Sequence, residues 1–187
     1  MSKLKFWLDM DGVICDFHLK YQQIKGDPEW CDVKFHQLVL EHQIFRNLEW
    51  MPNGKKLADK LLGWYDSGVI DLEILSSCGT WNVKVAPHSA YQKTHWLNDK
   101  GLGYIKKTFV HSFACKKNYA TPDSVLIDDR EDCCKEFAEA GGLSILYHYN
   151  KTESVLHTCE QLIQEHQALC QLTASSTERL ARSLSTS

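Results

Sequence analysis

Surplus charge, paired cysteines and long apolar runs are all scarce in this 187-residue chain. Its 21 basic and 24 acidic side chains leave a net charge of −3. That balance excludes a long nucleic-acid partner, whose binding needs clustered Lys and Arg to displace counterions. A short nucleotide stays open, because it needs only a local phosphate site. The eight cysteines include no Cys-x-x-Cys pair and no Cys/His spacing of a zinc finger. They read as small thiols within or near the core. No apolar run approaches the ~20 residues that span a bilayer, so no membrane partner is expected. The chain enters an apolar strand within a few residues, so a secretory leader is not expected either. The compartment expected is reduced and cytoplasmic. There is no internal repeat. Residues 172–187 are rich in Ser and Thr and poor in large apolar groups, which predicts a disordered tail.

What is present is a foldable pattern. The chain is 43% hydrophobic, and five short apolar runs read as strands: Lys3–Leu8, Val69–Leu75, Lys107–His111, Ser124–Ile127 and Leu143–Tyr147. Helical patterns lie between them. Asn53 is placed to cap one with Leu57, Leu61, Trp64 and Tyr65 on one face. Pro87 opens another that runs to Asp99, with Gly101 beyond its end. A third spans Glu131–Ala140 and closes on Gly141-Gly142. Thr152 is placed to cap a fourth, with Val155, Cys159, Leu162, His166 and Leu169 on one face. Alternating strands and helices predict an α/β fold, a mainly parallel sheet with helices on both faces. Residues 14–52 interrupt the alternation with polar sequence and scattered aromatics (Phe17, Tyr21, Trp30, Phe35, Phe45, Trp50). The expected organisation is a core of residues 1–13 and 69–171, with residues 14–68 forming a small helical cap and its return helix.

Ligands of such sheets bind beyond the carboxyl ends of the strands. The first strand ends at Asp9-Met10-Asp11-Gly12, and the fourth at Asp128-Asp129. Asp9 and Asp11 point the same way if the chain stays extended, and Gly12 permits a tight turn. Two like charges ~4 Å apart cost about 4 kcal/mol at an effective dielectric of 20. A hard divalent cation removes that penalty, and magnesium suits an all-oxygen site shared with a phosphate. A carboxylate can then attack the neutralised phosphate. Ser76 and Ser77, at the end of the second strand, offer hydroxyl and N–H groups to phosphate oxygens. Lys116 or Lys117, some ten residues before Asp128, offers a compensating positive charge.

The ordered set Asp9-x-Asp11-Gly12-Val13, Ser76, Lys116 or Lys117, and Asp128-Asp129 resembles the four motifs of the haloacid dehalogenase superfamily, over roughly residues 4–150. The resemblance implies a Rossmann-like core, a mobile cap and a phosphoaspartate mechanism. Asp9 would be the nucleophile and Asp11 the acid and base. Asp9, the Asp11 carbonyl and Asp129 would hold magnesium, supported by Asp128. Having both Asp9 and Asp11 favours a phosphatase over a dehalogenase or ion pump. Within the superfamily the chain is similar to the 5′(3′)-deoxyribonucleotidases. The likeness rests on Phe17, on Phe45-Arg46-Asn47-Leu48-Glu49-Trp50-Met51-Pro52-Asn53-Gly54, on Tyr91-Gln92-Lys93-Thr94-His95-Trp96-Leu97, and on Ile127-Asp128-Asp129-Arg130. It implies that Phe17 meets the base and that Lys93 and Arg130 help bind the nucleotide. The chain departs from that group in reading Ser-Ser where Thr-Ser-Pro is usual, and in a loop about four residues longer between Ser77 and Lys93. Lys116 keeps a Lys-x-x-Tyr-Ala spacing and is the preferred motif lysine, with Lys117 kept as a phosphate contact. The expected activity is a magnesium-dependent 5′-nucleotidase whose partner is a small phosphomonoester, with homodimerisation compatible. The alternatives are a phosphatase of another small metabolite or sugar phosphate, and a nucleotide-binding protein without turnover.

Overall fold

The computed structural model describes residues 3–27 and 32–184, with side chains to residue 173. Trp30 and Cys31, counted above among the cap aromatics and the thiols, lie outside the described residues. The five strands are β1 (Lys5–Leu8), β2 (Asp71–Ser77), β3 (Lys106–Val110), β4 (Ser124–Asp128) and β5 (Leu143–Leu146). They form one sheet in the order β3-β2-β1-β4-β5, with every pair parallel. This is a Rossmann-like α/β core, and β1 is its central strand.

Period-two alternation sorts the central strands between two apolar layers. Phe6, Leu8, Ile74, Val125 and Ile127 face the larger core; Trp7, Leu75 and Leu126 face a smaller one with Cys133 and Phe137. Burying each such large side chain stabilises the fold by roughly 1.5–3 kcal/mol.

The helices are α1 (Phe17–Lys25), α2 (Phe35–Leu40), α3 (Gly54–Asp66), α4 (Ala86–Asp99), α5 (Glu131–Glu139) and α6 (Thr152–Leu184). The interruption after β1 holds α1 and α2, as a small helical insertion. Asp16 starts α1, its Oδ1 accepting from the Leu19 amide at 2.8 Å. Pro87 stands in the first turn of α4, and Gly101 follows that helix with φ of 79°.

Three local expectations are corrected. Asn53 precedes α3 without capping it by side chain: its backbone is left-handed, and its Nδ2 donates instead to the Tyr149 carbonyl at 2.9 Å. Thr152 lies inside the first turn of α6, where its Oγ1 donates to the same Tyr149 carbonyl at 3.0 Å. The expected disordered tail is helical through Leu184 as a continuation of α6. Residues 152–187 contain no Gly or Pro, so nothing local stops the helix that Val155, Cys159 and Ile163 anchor to the core. Among the described residues no helix is long and apolar enough to cross a membrane.

Candidate active site

The sheet order reverses between β1 and β4: β2 and β3 extend to one side of β1, while β4 and β5 lie on the other. Such a switch point opens a crevice beyond the strand ends. Leu8 is in register with Ile127, and the Asp9 amide donates to the Ile127 carbonyl at 3.1 Å. Asp9 and Asp128 therefore emerge side by side, both buried.

Two like charges in that position need a counter-charge, and Lys116 is one. Its Nζ lies 2.9 Å from Asp9 Oδ1 and 2.6 Å from Asp128 Oδ2, and the residue is 2% exposed. Burial alone would lower its pKa; the charges of Asp9 and Asp128 outweigh burial and hold the ammonium above the ordinary lysine value. Lys117 is a different matter, and its expected role as a phosphate contact is corrected. It is half exposed and pairs with Glu136 of α5 at 3.2 Å. Both lysines lie in a 3₁₀ segment, Phe113–Tyr119. With three residues per turn, neighbours there point about 120° apart, so only one can face the crevice.

Both oxygens of Asp128 are engaged by the protein. Its Oδ2 takes Lys116 and its Oδ1 accepts from the Arg130 amide at 2.9 Å. Burial and then the Asp9 charge nevertheless push its carboxyl above the ordinary range. Asp129 faces solvent and the cavity, and burial of its inner side together with Asp9 and Asp128 pushes it up to about 7. One oxygen each from Asp9, Asp128 and Asp129 lie within 4.8 Å of one another. Asp9 Oδ1 is buried, with the Lys116 ammonium 2.9 Å away. Gly12 completes the cradle with φ of 77°, and a Cβ there would collide with the Asp129 carboxylate. An all-oxygen donor set of three carboxylates, strained by its own charge and with Asp9 and Asp129 facing the cavity, fits a hard divalent cation such as Mg²⁺. Because Asp128 has both oxygens engaged, it is placed to support such an ion rather than to bind it.

The Asp11 carboxylate stands apart from this cluster. Lys93, fully buried on α4, reaches its Oδ2 at 2.5 Å and Ser76 Oγ at 2.9 Å. Cys15 Sγ donates to Asp11 Oδ1 at 3.5 Å; burial, then the Asp11 charge, keeps that thiol's pKa well raised and the group protonated. Ser76 is buried beneath the crevice. Ser77 lines it, donating to the His111 carbonyl at 3.3 Å and accepting from the Gly79 amide at 2.9 Å.

Above the acids is a cavity of about 370 Å³ lined by Phe17, Phe35, Phe45, Phe113 and Arg130 as well as the acids. Phe17 stacks on Phe45 with centroids 5.4 Å apart, and Phe35 meets Phe45 edge-on at 6.3 Å. Arg130 at the mouth is held by Asp132 in a two-point pair (3.0 and 2.6 Å) and lies over the Phe113 ring at 3.9 Å. The expected residues Asp9, Asp11, Phe17, Ser77, Lys116, Asp129 and Arg130 thus share one cavity, with Ser76, Lys93 and Asp128 immediately behind it. His18, Phe35, Gly79 and Phe113 also line it, although no local pattern in their own segments marks them. Phe45 sits in the stretch already noted for its resemblance. Comparison with known protein families and with curated protein sequences gives no match.

Proposed function

We propose that this chain is a magnesium-dependent phosphomonoester hydrolase of the haloacid dehalogenase type, acting on (deoxy)nucleoside monophosphates through an aspartyl phosphate at Asp9. One observation carries the reading: a wholly buried ammonium, Lys116, joins the strand-end acids Asp9 and Asp128 on the floor of a cavity with an aromatic wall. An ordinary surface turn has no reason to bury three charges together, since each costs several kcal/mol to desolvate.

Asp9 attacks phosphorus, forming the Asp9 O–P bond as the bond to the nucleoside oxygen breaks. Asp11 gives its proton to that departing oxygen. Asp11 then takes a proton from water, whose oxygen attacks phosphorus and releases inorganic phosphate and the free Asp9 carboxylate. Lys116 holds Asp9 in place and offsets negative charge throughout. Asp9, Asp129 and the Asp11 carbonyl would hold magnesium, which when bound supplies the positive charge that lets one anion approach another.

The wall of Phe17, Phe35 and Phe45 supports a nucleotide over a sugar phosphate. A base offers a flat π-face to such rings, worth about 1–3 kcal/mol per stacked base; a sugar offers none. Arg130 at the mouth adds a fixed positive charge.

The test is phosphate release from a panel of nucleotides and sugar phosphates, with and without magnesium, using Asp9→Asn as control. The expected result is magnesium-dependent release from deoxynucleoside monophosphates that falls at least about 10³-fold in the variant. Turnover of sugar phosphates alone would refute the substrate assignment. No turnover of either class would refute the enzyme reading.

A further inference from the structure

The wall of the cavity is fastened to the core from one side. Gln92, on α4 and 3% exposed, donates from Nε2 to the Val39 carbonyl at 2.7 Å and accepts at Oε1 from the Phe45 amide at 3.2 Å. Trp96 Nε1 donates to the Leu48 carbonyl at 2.8 Å. His95 Nε2 lies 3.1 Å from the Arg46 guanidinium, while its Nδ1 lies 3.0 Å from Asp99. Positions 92, 95 and 96 share a helix face because they are three and four apart. The adjacent Lys93 turns to Asp11 and carries the Phe45 ring 4.6 Å from its ammonium. Phe45 is therefore held by α4 twice, at its amide and at its ring.

Swinging this segment away would strip buried backbone groups of their partners and expose Val39, Phe45 and Leu48, all of which are buried. Lone buried amides are rarely left unpaired, because their desolvation is not returned. We infer that residues 39–48 are a fixed wall of the cavity, not part of a moving lid, and that Gln92 positions Phe45 as the backing on which Phe17 meets substrate. The first half stands on packing alone; the second rests on the proposed nucleotidase reading.

Native-state hydrogen exchange on the full chain without ligand tests the first half. The Phe45 amide should be protected like the amides of β1 and β4. Exchange as fast as the exposed amides of α1 would overturn the fixed wall. Gln92→Met tests the second half. It should raise KM for a deoxynucleoside monophosphate about tenfold and leave kcat within about twofold. Hydrolysis of acetyl phosphate, which has no ring to meet the Phe17 face that Phe45 backs, should be unchanged. Added to Phe45→Leu, it should raise KM no further, as expected of two changes on one path. Additive effects, or an equal loss on acetyl phosphate, would overturn the positioning role. If the unmodified chain hydrolyses nothing, the positioning role falls with the nucleotidase reading, and the exchange result still decides the wall.

Discussion

Lys93 and Asp11 stand 82 positions apart in the chain and 2.5 Å apart in the fold. The pair joins α4 to the loop after β1, and it hands the proposed acid and base a buried positive neighbour. The lysine is fully enclosed, whereas the Asp11 side chain keeps 29% of its surface in solvent. That asymmetry separates two variants. Lys93→Met keeps the volume and removes the charge, and Asp11 can still be hydrated, so the stability loss should stay below about 2 kcal/mol. Lys93→Ala adds a cavity, and its cost should rise to about 2–4 kcal/mol. Phosphatase activity should fall at least tenfold in both. Denaturant melts and initial rates on the same preparations would check this; equal stability loss in the two variants would contradict it.

Lys116 and Lys117 are adjacent in sequence and opposite in consequence. Removing Lys116 leaves Asp9 and Asp128 buried side by side without their shared counter-charge. Lys116→Met should cost about 3–5 kcal/mol, the usual loss when one partner of a buried pair is deleted. Lys117→Met breaks only a half-exposed pair with Glu136 and should change stability by less than about 1 kcal/mol. Magnesium should recover part of the Lys116→Met loss, because it too offsets the acids. Thermal melts of both variants with magnesium and with chelator measure all three effects. Similar losses in the two variants would mean that the buried bridge is misassigned.

How far the site could be read in the sequence follows from which contacts are local. Asp9 and Asp128 were legible because each ends an apolar run, and parallel strands bring such ends together whatever the loops do. Ser77 and Arg130 were legible for the same reason. The choice between Lys116 and Lys117 was not settled by spacing; it depends on a 3₁₀ turn that no periodic pattern announces. Phe35 and Phe113 reach the cavity from different segments. Only long-range packing, such as the Phe35 ring against Gly79, where an added Cβ would come within 2.7 Å, makes them neighbours of Phe17. The continuation of α6 runs against the Ser and Thr composition of its end, because no Gly or Pro follows Thr152 to break the helix.

Asp129 gives the site a pH signature. Its carboxyl is pushed up to about 7 by burial and by Asp9 and Asp128, against an ordinary value near 3.9 in the unfolded chain. Between those values the native state holds more protons than the unfolded state, so stability must fall as pH rises through the window. Without divalent cations, melting temperature should therefore decline between about pH 4 and 7. A cation binds the deprotonated acids, so the stabilisation by magnesium should grow over the same range. Asp129→Asn should flatten both trends. Melts at a series of pH values, with chelator or with magnesium, provide the measurement, and an unchanged slope in Asp129→Asn would remove Asp129 from the account.

Gly12 tests whether the cradle depends on close backbone approach. Its φ of 77° lies in the left-handed region, which costs an ordinary L-residue roughly 1–2 kcal/mol. A Cβ would also meet the Asp129 side chain, so the carboxylate must move. Gly12→Ala should therefore lower stability by at least that strain and, separately, weaken magnesium binding. The two effects can be told apart in Gly12→Ala/Asp129→Ala, where the clash with the carboxylate is gone, only the residue-129 Cβ at 3.2 Å is left close, and the backbone strain remains. Stability relative to Asp129→Ala alone should then show only the strain of about 1–2 kcal/mol. Calorimetric titration of magnesium into Gly12→Ala should show weaker binding than into the unmodified chain. Retained affinity would mean that Asp129 does not need its present position to hold the ion, and the assignment of Asp129 as a metal ligand would be lost.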